Sequence, residues 1–123
     1  MPLEKKGDCY PTEIKLHKKS RQLAISFSDG CQFKLAAEYL RVYSPSAEVT
    51  GHGSDSAILV TGKENINIEQ IEPIGRYAVR LIFDDGHATG LYTWPILYEL
   101  GSEFDNKWAQ YLARLKEAGH ARL

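Results

Sequence analysis

One pattern occurs twice along this chain and constrains its fold more than any other feature. Leu23–Gly30 (LAISFSDG) and Val79–Gly86 (VRLIFDDG) both alternate apolar with polar residues and both end in Asp-Gly, 56 residues apart. Alternation is typical of a half-buried strand, and Asp-Gly favours a tight turn because glycine accepts a positive φ. After each turn the sequence predicts a returning strand and then a short helix.

The repeat predicts an α+β domain. Its core would be a small antiparallel or mixed β-sheet with helices on one face, since one strand–turn–strand–helix unit alone would leave its apolar face in water. A C-terminal amphipathic helix is predicted with Ser102 as its N-cap and Gly119 just past its end. Residues 1–12 show no periodicity and are predicted to be a flexible leader, so residues 13–123 are expected to form a single domain.

The remaining elements follow from the same periodicities. Alternating apolar residues on either side of Lys18–Ser20 predict a first hairpin. Residues 44–65 are rich in Gly, Ser and Thr and predict a long loop, interrupted by a short strand at 57–60. Strands are then predicted over Tyr77–Phe83 and His87–Thr93, followed by a helical turn from Trp94 to Leu100 that the next glycine ends.

Charge and composition exclude several classes of protein. Fifteen Lys and Arg face sixteen Asp and Glu, a net charge of −1, whereas a nucleic-acid-binding domain normally has a basic excess. The one basic stretch, Lys15–Arg21, is interpreted as a solvated hairpin tip. No apolar run reaches the roughly 20 residues that cross a bilayer, and the two cysteines, Cys9 and Cys31, do not form a disulfide framework. We therefore expect a cytoplasmic protein that binds neither membrane nor nucleic acid.

Two segments resemble a known family. Leu40–Val49 (LRVYSPSAEV) with the following Gly-His-Gly, and Gly75–Tyr92 with its Asp-Gly-His and Gly-x-Tyr, are similar to the DUF971 family. That family resembles the N-terminal domain of gamma-butyrobetaine hydroxylase, and the resemblance covers roughly Glu13–Leu100. It implies a domain that lacks the hydroxylase's catalytic chemistry, which belongs to a separate, larger domain.

The resemblance also indicates whether the zinc ligands of the related domain are retained in this sequence. The hydroxylase domain holds a structural zinc through three cysteines after a Leu-Arg pair and one histidine after a Trp-Pro pair. Hydroxyl and apolar side chains do not replace thiolates and imidazole around zinc. The resemblance therefore implies that the zinc site is absent here, since its positions fall on Ser44, Ser46, the neighbourhood of Val49 and the neighbourhood of Tyr98.

Candidate functional residues support two hypotheses. The sequence has no Gly-x-Ser-x-Gly elbow and no phosphate-binding loop, so we expect a non-enzyme without a cofactor. The first hypothesis is an adaptor that docks on a protein partner; because related domains are fused to P-loop iron–sulfur carrier ATPases, such a carrier is the partner that the resemblance implies. The alternative is a metal or small-ligand site using His52, His87 and Asp85. The full candidate surface comprises Arg41, Tyr43, Ser44, Ser46, His52, Asp85, His87, Tyr92 and Tyr98.

Overall fold

The computed structural model describes residues 9–45 and 59–120. Within these ranges, six strands and three helices follow one another in the order strand, strand, strand, helix, twice over, with one further helix at the end. They are β1 (Pro11–His17), β2 (Gln22–Phe27), β3 (Gln32–Ala36), α1 (Ala37–Val42), β4 (Ile68–Ile74), β5 (Ala78–Phe83), β6 (Leu91–Thr93), α2 (Trp94–Ser102) and α3 (Phe104–Glu117).

The strands form two separate antiparallel sheets of three strands each. The first has the order β1-β2-β3 and the second the order β4-β5-β6. The outer strand that precedes each central strand has a register shift at its start, between Pro11 and Glu13 in one sheet and between Ile68 and Gln70 in the other. The α+β class predicted from the repeat is confirmed, with two small sheets in place of a shared one.

The two Asp-Gly turns have almost the same geometry. In the first turn Phe27 N donates to Cys31 O at 2.8 Å, and in the second Phe83 N donates to His87 O at 3.0 Å. The glycines have φ values of 92° and 89°, which explains why glycine is needed at both positions. The aspartate of each turn accepts a hydrogen bond from the backbone N–H two residues on, at 2.9 Å in the first turn and 3.0 Å in the second. The two units are therefore structural repeats as well as sequence repeats.

The two units share one hydrophobic core. Leu23, Ile25 and Phe27 point inward from β2 and are at most 2% exposed, as are Leu81 and Phe83 of β5. Side chains from α1 and α2 join the same cluster of buried residues. Burial of this surface is the main favourable term in folding, so neither unit would be expected to fold without the other.

Several predicted boundaries differ from the structure at its N-terminal and central parts. Ordered structure begins before Glu13, because Cys9 is 2% exposed and β1 starts at Pro11. The rest of the predicted leader lies outside the described residues. β4 was not predicted as a strand; Pro73 lies in it, which an outer strand tolerates. Leu59 and Val60, the described part of the strand predicted at 57–60, are not in a strand.

The C-terminal elements show the same kind of difference. The predicted strand at His87–Thr93 is limited to the last three residues, Leu91–Thr93. Gly101 does not end α2, which runs to Ser102, and Ser102 does not cap α3, whose N-cap is Glu103. Gly119 does follow the end of α3 with a φ of 78°, as predicted. Among the described residues, no helix combines the length and apolarity needed to cross a bilayer.

Candidate functional site

The second Asp-Gly turn meets the end of α1 in a group of polar and charged side chains. We call this group the Asp85 cluster and define it as Arg41, Ser44, Lys63, Asp85 and His87. Arg41 Nε and Lys63 Nζ both donate to Asp85 Oδ2, at 2.9 Å and 2.8 Å. Asp85 Oδ1 accepts from the backbone N–H of His87 at 3.0 Å. One carboxylate therefore holds the turn and binds two cations.

Arg41 lies in the last turn of α1, and most of its surface is covered. Its side chain is 12% exposed, which is low for an arginine. Its Nε uses the carboxylate of Asp85, but Nη1 is buried and has no hydrogen-bond acceptor among the residues that the structure describes. A buried donor without an acceptor is unfavourable by about 1–3 kcal/mol. Arg41 therefore has a buried donor for which the described residues offer no acceptor.

Ser44 and His87 form a buried hydrogen bond beside this ion pair. Ser44 Oγ and His87 Nε2 are 2.9 Å apart, and the two residues are 0% and 8% exposed. The close approach depends on Gly90, because a Cβ there would lie 2.4 Å from Ser44 Oγ. Tyr92 lies nearby with no exposed surface and donates its hydroxyl to Leu40 O at 2.6 Å.

The charges around Asp85 determine its protonation. Partial burial favours the neutral carboxyl, but the hydrogen bonds from Lys63 and from His87 N, together with the contact and charge of Arg41, outweigh it and hold the pKa of Asp85 well below its usual range. Burial raises the pKa of the Tyr92 hydroxyl, which stays neutral and acts as a hydrogen-bond donor. At neutral pH the cluster thus has two cations and one carboxylate.

The first Asp-Gly turn makes the equivalent contacts with neutral groups. Asp29 Oδ2 accepts from the Tyr98 hydroxyl of α2 at 2.6 Å, and Tyr98 Oη is 3.4 Å from Cys31 Sγ. We call Asp29, Cys31 and Tyr98 the Asp29 cluster. The hydrogen bond from Tyr98 and that from Cys31 N lower the pKa of Asp29, and the same carboxylate raises the pKa of Tyr98. Cys31 and His87 therefore occupy equivalent positions in the two turns.

The structure brings four of the candidate residues together and separates the others. Arg41, Ser44, Asp85 and His87 are in contact through the bonds above. The resemblance assigned the position of the lost zinc-binding histidine to the neighbourhood of Tyr98. In the structure the hydroxyl of Tyr98 bonds Asp29, and the side chain that contacts Ser44 is His87.

Of the candidate tyrosines, the structure removes Tyr92 from an exposed contact surface. Tyr92 is fully buried, and the Tyr43 hydroxyl donates to Lys107 O at 2.6 Å from a partly buried position. Tyr92 therefore belongs to the core, for which large aromatic area is well suited. Ser46 and His52 lie outside the described residues. Among residues 9–45 and 59–120, no three His, Cys, Asp or Glu side chains are grouped closely enough to hold a metal ion.

Two members of the site were missed by sequence reasoning. Lys63 comes from the segment before β4, and only the folded structure brings its ammonium group to Asp85. Gly90 was noted as part of a motif, but its reason, the close approach of Ser44, depends on a contact between residues 46 positions apart. Arg41, by contrast, was among the candidates, and the structure shows that α1 and α2 each supply a polar side chain to the turn of the other unit.

Comparisons with known proteins agree with this architecture. The chain is similar to two proteins of known solution structure. The first is 54% identical with a TM-score of 0.81, covering 98% of this chain and 91% of that one; the second is 49% identical with a TM-score of 0.80, covering 92% and 89%. It is also 39% identical to a protein of unknown function from Acidithiobacillus ferrooxidans ATCC 23270, of the DUF971 family, with a TM-score of 0.64 over 76% of this chain and 93% of that one. No curated protein matches.

The family model described as gamma-butyrobetaine hydroxylase-like, N-terminal, matches residues 14–98. This range includes both Asp-Gly turns, α1 and the Asp85 cluster. The chain therefore belongs to the gamma-butyrobetaine hydroxylase-like N-terminal domain family, also called DUF971.

Proposed function

We propose that this protein is a non-catalytic binding domain that docks on a protein partner through the Asp85 cluster. The observation that supports this most is the state of Arg41, whose buried Nη1 has no acceptor among the described residues. An acceptor supplied by a partner would remove the free-energy cost of that donor. Since the Arg41 side chain is still 12% exposed, the guanidinium lies close below the surface.

The charges of the cluster favour an acidic contact residue on the partner. Arg41 and Lys63 share one oxygen of Asp85, so two positive charges face a single carboxylate. Arginine presents its donors in a planar fork that can bind two carboxylates from different directions. A partner aspartate or glutamate would complete this arrangement, and charge pairs of this type contribute to specificity and association rate.

The partner that we propose is an iron–sulfur carrier ATPase in the cytoplasm. This proposal rests on the family resemblance, because related domains are fused to such carriers. A fused arrangement places the domain at high local concentration beside the carrier, and a separate chain would need a docking contact to achieve the same proximity. The Asp85 cluster would provide that contact.

An amide-shift titration with a purified iron–sulfur carrier ATPase tests the proposal. We expect shifts at Arg41, Asp85 and His87, and at least a tenfold loss of affinity in the Arg41→Gln variant. Arg80→Gln is the matched control, since Arg80 pairs with Glu72 on the second sheet away from the cluster. Absence of binding would contradict the proposed partner. Equal binding by wild type and Arg41→Gln would contradict the proposed site.

A second candidate function is supported by the buried contact between Ser44 and His87. A hydroxyl and an imidazole at 2.9 Å could bind a small polar ligand or contribute to a metal site with residues outside the described ranges. Titration with zinc or ferrous iron distinguishes the two functions. A stoichiometric shift of the His87 ring signals, removed by His87→Gln, would favour metal binding, whereas unchanged ring signals would eliminate it.

A further inference from the structure

The outer face of the first sheet carries an uncompensated positive charge. Residues 11–36 contain five Lys and Arg and only two Asp and Glu, a net charge of +3 in a chain whose total is −1. One of these lysines, Lys15, lies 3.5 Å from Glu13; for the other four, no carboxylate of the described residues lies within 4.0 Å. The five cations are Lys15, Lys18, Lys19, Arg21 and Lys34. This asymmetry is independent of the Asp85 cluster.

The strand register places two of these lysines on opposite sides of a shallow groove, which we also call the trough. Lys15 of β1 and Lys34 of β3 are both paired with Ala24 of the central strand. Leu23 and Ile25 point into the core, so Ala24 and its neighbours in register point outward. The next outward residue along the central strand is Ser26. Small side chains in the middle and long ones on both sides make a shallow groove of about 460 Å³.

The dimensions of this groove fit an extended polypeptide. Neighbouring strands are about 4.8 Å apart, so the Cα atoms of Lys15 and Lys34 are separated by about 10 Å across β2. Successive side chains of an extended segment point in opposite directions, so two consecutive acidic residues along the trough would reach Lys15 and Lys34 on opposite sides. The basic turn at Lys18–Arg21 lies at one end of the same trough and would bind further carboxylates.

Nucleic acid is a poorer fit to the same charges. Sheets that bind single strands do so by stacking bases on aromatic side chains. The described residues that point outward from its three strands, among them Lys15, Ala24, Ser26, Gln32 and Lys34, include no Phe, Tyr or Trp. Phe33 borders the groove, but its ring packs edge-on against Phe27 and Tyr98. We infer that the outer face of the first sheet is a docking surface for an acidic, extended segment of a protein partner. This goes beyond the proposed function, because it uses a different surface and different residues.

Fluorescence anisotropy with a labelled ten-residue peptide, in which pairs of consecutive Glu alternate with pairs of Ser, tests this inference on the full chain. We expect saturable binding that weakens as salt rises, since exposed charges are screened. The Lys15→Gln/Lys34→Gln double variant should bind the peptide about fivefold more weakly, as two exposed ion pairs are lost. Lys116→Gln on α3 is the matched control and should bind like wild type. Glu13→Gln should bind more tightly, because it removes the one carboxylate that competes for Lys15.

Three results would overturn the inference. The first is no binding of the acidic peptide at low salt. The second is equal binding by the double variant and by Lys116→Gln. The third is tighter binding of a single-stranded oligonucleotide than of the peptide under the same conditions. Because Arg41 takes no part in this surface, Arg41→Gln should leave the peptide affinity unchanged, so that failure here and failure of the Asp85 site are distinguishable.

Discussion

The two Asp-Gly turns have the same backbone geometry but bind different kinds of side chain. Each aspartate contacts the helix of the other unit: Asp29 accepts from Tyr98 of α2, and Asp85 accepts from Arg41 of α1. The first contact joins a carboxylate to a neutral hydroxyl, and the second joins a carboxylate to a cation. The same backbone geometry therefore supports packing at the Asp29 cluster and concentrates charge at the Asp85 cluster. For this reason we consider only the Asp85 cluster as a candidate binding site.

The largest expected effect comes from Gly101, which packs against Phe33 beside the Asp29 cluster. In Gly101→Ala the new Cβ would lie 2.4 Å, 2.5 Å and 2.8 Å from three ring atoms of Phe33. The ring cannot avoid all three contacts by a simple rotation, so we expect a loss of about 2–3 kcal/mol in the free energy of unfolding. Urea denaturation followed by circular dichroism measures it.

The matched variant at the Asp85 cluster is Gly90→Ala. Its Cβ would meet the single atom Ser44 Oγ at 2.4 Å, which can rotate away at the expense of the bond to His87. We expect a smaller loss, about 1–2 kcal/mol. A Gly101→Ala protein as stable as wild type would show that the ring of Phe33 is not fixed, and the comparison between the two clusters would then fail.

An intermediate effect is expected from Asp85→Asn, and it depends on pH. The pKa of Asp85 is lowered in the folded state, so its contribution to stability is present above the pKa of the unfolded chain, about 3.9, and is lost as pH falls through the lower folded-state value. At pH 7 the variant should lose about 1–2 kcal/mol, because the charge-assisted bonds to Arg41 and Lys63 are weakened. Below about pH 4 the difference from wild type should shrink.

The control for this prediction is the same change at the other turn. Asp29→Asn should have the same sign of pH dependence, because the pKa of Asp29 is also lowered, but a smaller amplitude, because its carboxylate is exposed and its partners are neutral. Unfolding curves at pH 3, 4, 5 and 7 compare them. An equal or larger loss of stability in Asp29→Asn would mean that Arg41 and Lys63 do not increase the contribution of Asp85 to the free energy of unfolding.

The smallest effect is expected from Lys63→Gln. Arg41 would still compensate the charge of Asp85, so the loss should be about 0.5 kcal/mol and should decrease as salt rises. The pair of Arg80 and Glu72, whose side chains are 40% and 41% exposed, offers a comparison on the same sheet. Thermal unfolding of Lys63→Gln and Arg80→Gln at low and high salt measures both losses. A loss above 1.5 kcal/mol in Lys63→Gln would show that Lys63, not Arg41, is the main partner of Asp85.

Much of the fold could be predicted from the sequence because local signals agreed with tertiary packing. The inward residues of β2 and β5 alternate strictly, and Asp-Gly requires a turn at both positions, so the repeat was visible. β4 was missed because Pro73 and isoleucines at irregular spacing obscure its alternation. Gly101 was misread as a helix end because its reason for being glycine is the ring of Phe33, which is distant in sequence.

The candidate site could be predicted only in part for the same physical reason. Asp85 and His87 are two positions apart in sequence and mark a turn, so they could be identified as polar candidates. Their partners Ser44 and Lys63 are 43 and 22 positions away and reach them only when the two units pack together. Tyr92 was assigned to a surface because the sequence alone does not distinguish a buried hydroxyl with an internal acceptor from an exposed one.

The exchange of tyrosine contacts between the units has a consequence for how this protein must assemble. Tyr39 of α1 donates to Leu100 O in α2, and Tyr92 beside α2 donates to Leu40 O in α1, at 2.6 Å in both cases. Each unit thus donates a tyrosine hydroxyl to a backbone carbonyl of the other, so these two buried hydrogen bonds form only when the units pack together. A chain released after synthesis of only its first unit would expose the apolar face of its sheet to water. A second such chain could cover that face, so truncated chains are expected to associate with one another.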